Sequence, residues 1–98
     1  MDKREVIEIV RNYKTSIEGM FCNPKVYLFG SYTNGTATKD SDIDVAVVVD
    51  SIGDDWMEKT TFLWQKTMNV NTLIEPVLID ATKSSPLYAE ILQHGIAI

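Results

Sequence analysis

The sequence predicts an α/β fold, and three observations carry that expectation. Apolar residues recur at helical spacing near the N-terminus. Two short apolar runs, residues 25–29 and 45–49, lie close together in the first half. A third run, residues 73–79, stands between stretches that read as helices by periodicity and capping. The predicted order is helix, strand, turn, strand, helix, strand, helix. The 98 residues suit one domain, 1–98.

Val6, Ile7, Ile9, Val10, Tyr13 and Ile17 mark one face of the first helix. Asn23-Pro24 breaks the chain before the first strand, which closes at Gly30-Ser31. The second strand opens at Asp42-Ile43-Asp44. Residues 50–55, with Asp50, Asp54 and Asp55, read as a solvated loop leading into a helix of roughly 56–69. Trp56, Leu63 and Trp64 are expected to form its core stripe. Met57 and Met68 are expected as gap-filling core or as a partner surface. Pro76 places the third strand at an edge or a bulge. Ser85 caps the last helix, Pro86 takes its first position, and Gly95 suits its stop. His94 falls among the last carbonyls of that helix.

Composition narrows the function. A net charge of −5 and a pI near 4.6 argue against a broad, nonspecific nucleic-acid surface, which needs Lys and Arg to displace counterions. No apolar run is long enough to cross a membrane. Met-Asp-Lys-Arg leads into a charged amphipathic stretch rather than a signal peptide. The single Cys22 excludes an intrachain disulfide and agrees with a reducing, cytoplasmic setting. One histidine without a close Cys or His makes a poor zinc site.

The chemistry lies in Gly30-Ser31, a spacer of ten residues, and Asp42-x-Asp44. Strand side chains alternate, so Asp42 and Asp44 share a face with Cα atoms ~7 Å apart. Carboxylates so placed can converge on two metals about 3.5–4 Å apart. Magnesium, a hard cation, prefers such oxygens and takes phosphate oxygens to complete its shell. Gly30 permits a close approach by an oxyanion, and Ser31 offers a hydroxyl and an amide. A P-loop is excluded. Gly30 and Gly35 fit its glycine spacing, but Thr36 and Ala37 stand where Lys and Ser or Thr are required, and Lys39 comes too late.

Gly30-Ser31, Gly35 and Ser41-Asp42-Ile43-Asp44-Val45 resemble the signature of the DNA polymerase beta-type nucleotidyltransferases, above all its minimal members. Residues 86–96 resemble the last helix of that family. The resemblance implies a polymerase beta-like core, a small mixed sheet flanked by helices. It implies that Gly30 and Ser31 hold the triphosphate of ATP and that Asp42 and Asp44 bind two Mg2+ ions. It implies a third carboxylate on the later strand, which completes the metal-binding triad and helps activate the attacking hydroxyl. Glu75 is its only internal acid, and Asp80, one residue past the apolar run, is the alternative. Glu75 shares a strand face with Leu73, Val77 and Ile79, where an acid is costly if buried unless it is paired or binds metal.

The resemblance also implies transfer of AMP to a hydroxyl and a partner, a helical toxin of the HEPN class that the minimal enzyme neutralises as antitoxin. Two features depart from the family. Thr33-Asn34 stands where many members carry Ala-Arg, and the third acid is Glu rather than Asp. They keep open a non-catalytic nucleotide- or protein-binding module; a small-molecule nucleotidyltransferase that needs a separate acceptor subunit is a further alternative. Self-association is compatible with either.

Overall fold

The computed structural model describes all residues, 1–98. Helix α1 spans Lys3–Ile17, β1 Lys25–Phe29, α2 Ser31–Asn34, β2 Ile43–Val49, α3 Trp56–Val70, β3 Ile74–Asp80, α4 Pro86–His94 and β4 Ile96–Ala97. The strands form one mixed sheet in the order β3-β2-β1-β4. β1 pairs antiparallel with β2 and with β4, while β2 and β3 are parallel, joined across α3. The expected small mixed sheet with flanking helices is therefore present. Pro76 lies on β3, an edge strand, which accommodates its missing N–H. The two-residue β4 lies outside the sequence expectation, because so short a segment carries no readable period.

Two apolar layers sandwich the sheet. On one face Val6, Val10, Tyr13 and Ile17 of α1 and Leu63 of α3 pack on Val26, Leu28, Ile43, Val45, Val47 and Ile74. The buried Tyr13 hydroxyl donates to the Leu63 carbonyl at 2.7 Å and ties the two helices together. On the other face Ile91 of α4 packs on Ala46, Val48 and Ile79. Successive β2 residues alternate between these layers, as the two-residue strand period requires.

Capping follows the sequence. Asp2 accepts from the Glu5 N–H at 2.8 Å at the start of α1. Ser85 accepts from the Tyr88 N–H at 3.0 Å, with Pro86 at the first turn of α4. The Gly95 N–H donates to the Ile91 carbonyl at 2.8 Å and turns the chain into β4. The Lys14 ammonium then holds the Ile98 carbonyl at 2.8 Å.

One expectation fails on α3. Leu63 is buried, but Trp56 and Trp64 are not core: they are 53% and 46% exposed. Met57 and Met68 are more exposed still. Leu63 and Trp64 are consecutive, about 100° apart around a helix, so both cannot face the sheet. Trp56 stands at the first turn of the helix, where it remains open to solvent.

Candidate active site

Register brings the key acids together. Asp44 lies in β2 between Phe29 of β1 and Glu75 of β3, which are its partners across the two ladders. Adjacent strands are ~4.8 Å apart, so Asp44 and Glu75 are lateral neighbours on the α4 side of the sheet. Asp42 precedes the first residue of β2 and is exposed; Asp44 is half-buried. Glu75 is exposed, with buried Ile74 and Pro76 turned to the opposite face.

The acids influence one another. Burial, followed by the charge of Asp42, holds the Asp44 carboxyl above its ordinary range. Glu75 is also raised, by loss of hydration, by the charge of Asp42, by a hydrogen bond shared with the Asp42 carboxyl, and by the charge of Asp44. Glu75 is exposed, so the charges of Asp42 and Asp44 beside it are the stronger cause. No three Asp, Glu, His or Cys side chains form a closed cluster around a point. The donor set still fits a hard cation: it is all carboxylate, and its mutual repulsion is what a cation would relieve.

Asp80 is set apart from this group. It ends β3 opposite Val49, five residues beyond Glu75, or roughly 17 Å along the strand. Its carboxylate accepts from the Thr82 hydroxyl, the Thr82 N–H at 2.8 Å and the Ile52 N–H at 3.1 Å. These bonds hold its carboxyl below the ordinary range. Asp80 fastens two loops at the far end of the sheet, so the alternative third carboxylate does not join Asp42 and Asp44.

The Gly30 turn is built around Asp44. Gly30 has φ 79° and ψ −144°, in a region nearly closed to residues with a side chain. A Cβ at Gly30 would come within 2.1 Å of Asp44 Oδ2. The glycine therefore sets the turn and leaves room for the carboxylate. Its carbonyl accepts from the Thr33 N–H at 3.0 Å, the Asn34 N–H at 3.2 Å and the Thr33 hydroxyl at 2.9 Å. Asn34 Oδ1 accepts from the Thr36 N–H and hydroxyl at 3.2 and 2.6 Å. Thr33 and Asn34, which depart from the Ala-Arg pattern, thus brace the loop between the two halves of the motif. Ser31, half-buried, begins α2 beside them.

A cleft of about 320 Å³ adjoins this turn, lined by Phe29, Gly30, Thr33, Asn34, Glu90 and His94. Sequence reasoning placed His94 at a helix end and gave Glu90 no role. Their i, i+4 spacing puts both on one face of α4. Only the packing of α4 shows that this face looks toward Gly30.

Residues 5–98 match the family model described as polymerase beta, nucleotidyltransferase. A Methanocaldococcus jannaschii protein, provisionally named protein adenylyltransferase MJ0141, is 26% identical over 99 residues, covering 96% of this chain and 99% of that protein. The crystal structure of a provisionally named Sulfolobus solfataricus nucleotidyltransferase superposes with a TM-score of 0.69 at 16% identity, over 97% of this chain and 80% of its own. A chain of a toxin–antitoxin crystal structure with AMP-PNP superposes with a TM-score of 0.58 at 24% identity, over 99% of this chain and 72% of its own. The two structural likenesses concern the fold; the family match spans nearly the whole chain and includes both halves of the Gly-Ser and Asp-x-Asp motif. This chain belongs to the polymerase beta nucleotidyltransferase family.

Proposed function

We propose that this nucleotidyltransferase moves AMP from ATP to a hydroxyl on a helical HEPN-class toxin, as the antitoxin of the pair, with Mg2+ as cofactor in the cytoplasm. The observation that carries the site is the contact between its two halves: the Gly30 backbone lies directly against the Asp44 carboxylate. A triphosphate held at Gly30 and Ser31 would therefore meet the acids without further rearrangement of the sheet. The protein adenylyltransferase name of the M. jannaschii relative supports the reaction type. The toxin–antitoxin structure with AMP-PNP supports the nucleotide and the setting.

Asp42 and Asp44 are the proposed ligands for two Mg2+ ions, with Glu75 as third carboxylate beside the acceptor. The ions, when bound, neutralise charge on the triphosphate and on the transferring phosphoryl group. The turn at Gly30 would hold the β and γ phosphates, and Ser31 would add a hydroxyl contact. The cleft beside Gly30 takes the nucleoside end. In the transfer, the acceptor oxygen bonds to the α-phosphorus, the bond to the bridging oxygen breaks, and pyrophosphate leaves. Glu75 orients the acceptor hydroxyl and takes its proton, a role supported by a carboxyl held above its ordinary range beside Asp42 and Asp44.

The test is transfer of radiolabelled AMP from ATP, with and without Mg2+, to a HEPN-class protein encoded beside this chain. Labelled protein and an equal yield of pyrophosphate are expected only with Mg2+. Tight Mg-ATP binding without any transfer would replace this reading with the nucleotide-binding module.

A further inference from the structure

We infer that Glu90 selects a ribonucleotide, its carboxylate accepting hydrogen bonds from the 2′- and 3′-hydroxyls of the sugar. This rests on the nucleotide reading above and adds the sugar class and the side chain that reads it. Register places the wall of the site. β4 pairs Ile96 with Leu28, so the end of α4, with His94, comes down beside Phe29. Phe29 in turn pairs with Asp44 across the β1–β2 ladder. At ~4.8 Å per strand, the end of α4 lies about 10 Å from Asp44. Glu90 stands one turn back on the same helix face, and both it and His94 line the cleft beside Gly30. A triphosphate held between Gly30 and Asp44 would have its sugar within reach of this wall.

The lining narrows what the cleft can take. The Thr33 hydroxyl donates to the Gly30 carbonyl, and Asn34 Oδ1 accepts from the Thr36 N–H and hydroxyl, so these two side chains hold the turn. Phe29 offers apolar surface, half-buried against the α4 layer. Glu90 is the one carboxylate of the cleft. It is exposed and belongs to neither of the chain's ion pairs, Arg11 with Glu8 and Lys59 with Asp55. An ionised carboxylate accepts hydrogen bonds and donates none. It therefore repels phosphate and suits hydroxyls or amines.

Position decides between sugar and base. The vicinal hydroxyls of a ribose are the donors nearest the phosphates, and the two carboxylate oxygens match them. A base amine lies a further ring away. The cleft, at about 320 Å³, is at the small end for a ligand site, which suits a sugar with part of its base. Dinucleotide-binding folds use an acidic side chain on the ribose 2′-hydroxyl in the same way.

Calorimetric titration of the full chain with the Mg2+ complexes of ATP, 2′-deoxy-ATP, 3′-deoxy-ATP and ITP tests this. Each deoxynucleotide should bind the wild type about tenfold more weakly than ATP, the loss of one hydrogen bond to a charged group. Glu90→Ala, with an unchanged circular dichroism spectrum, should bind ATP at least about tenfold more weakly and no longer distinguish it from either deoxynucleotide. Its preference between ATP and ITP should stay that of the wild type. Deleting a negative charge by itself favours an anionic ligand, so weaker binding cannot arise from net charge. Equal wild-type binding of ATP and both deoxynucleotides would overturn the assignment. So would tighter ATP binding by Glu90→Ala, or a variant that changes the ATP-to-ITP ratio and keeps the sugar preference. A wild type that binds no Mg-ATP would remove the nucleotide reading itself, and Glu90 with it.

Discussion

Gly30→Ala isolates the coupling between the turn and the carboxylate. The backbone of Gly30, at φ 79° and ψ −144°, costs a residue with a side chain about 1–3 kcal/mol. At ~4–8 °C per kcal/mol for a chain of this size, a loss of ~2 kcal/mol lowers the melting temperature by roughly 8–16 °C. Strain is only part of the effect. The new methyl would lie 2.1 Å from Asp44 Oδ2 and 3.0 Å from Asp44 Cγ, so the carboxylate must turn away. Mg-ATP binding should therefore be lost along with stability.

Gly35→Ala is the control. Gly35 also has positive φ, at 80° with ψ 12°, but a Cβ there meets nothing within 4 Å. It should lose about 1–2 kcal/mol from the left-handed backbone alone and keep its affinity for Mg-ATP. Urea denaturation gives the stabilities, and calorimetric titration with Mg-ATP gives the affinities. A double-mutant cycle sharpens the comparison. Adding Asp44→Ala removes the displaced carboxylate, so Gly30→Ala should cost less there than in the wild-type background. Wild-type Mg-ATP affinity in a folded Gly30→Ala protein would refute the reasoning. So would a coupling energy below ~0.5 kcal/mol, the range of independent sites.

Other perturbations separate the roles of the acids. Asp42→Asn and Asp44→Asn should each abolish Mg2+-dependent ATP binding by calorimetry while the circular dichroism spectrum stays that of the wild type; retained binding in both would remove them from the site. Glu75→Gln should bind Mg-ATP and fail to transfer label, and transfer at the wild-type rate would free Glu75 of its role. Because the Asp44 and Glu75 carboxyls titrate above their ordinary values in the folded chain, that state holds protons the unfolded chain has released. Their contribution to stability must fall as pH rises through that interval without metal. The slope should flatten in Glu75→Gln, read from urea midpoints across the acidic range. The depressed Asp80 carboxyl has the opposite sign: its contribution is present above the unfolded value and is lost as pH falls through the folded one. Asp80→Ala should lower the melting temperature without changing Mg-ATP affinity, and lost affinity would reinstate Asp80 at the site.

What could be read directly from sequence was local. Asp42 and Asp44 share a face through the two-residue strand period, which needs no knowledge of neighbours. Ser85 and Pro86 declare a helix start through their own capping chemistry. The failures concern partners in space. Trp56 and Trp64 carry the same hydrophobic signal as Leu63, and periodicity identifies an apolar stripe without saying which stripe meets the sheet. β2 and β3 run parallel across α3, and the sequence contains no turn that fixes their register. The choice between Glu75 and Asp80 therefore turns on which of them stands across from Asp44, and only the ladder supplies that: Asp44 faces Glu75, and Asp80 faces Val49.

The same reasoning changes the meaning of Gly30. As a sequence feature it is a turn residue at the end of a strand, suited to phosphate. Its second role depends on Phe29 pairing with Asp44, which is a consequence of the antiparallel register of β1 and β2. That register sets the residue after Phe29 against the Asp44 carboxylate and leaves no volume there for a methyl group. Thr33 and Asn34 follow from this constraint. With Gly30 free of a side chain at this backbone conformation, the Thr33 hydroxyl donating to its carbonyl and the Thr36 N–H and hydroxyl donating to Asn34 Oδ1 keep the turn closed. The chain uses the positions of the Ala-Arg pattern to support the turn rather than to add a cation, so under the proposed function charge compensation for the triphosphate would fall chiefly to ions at the carboxylates.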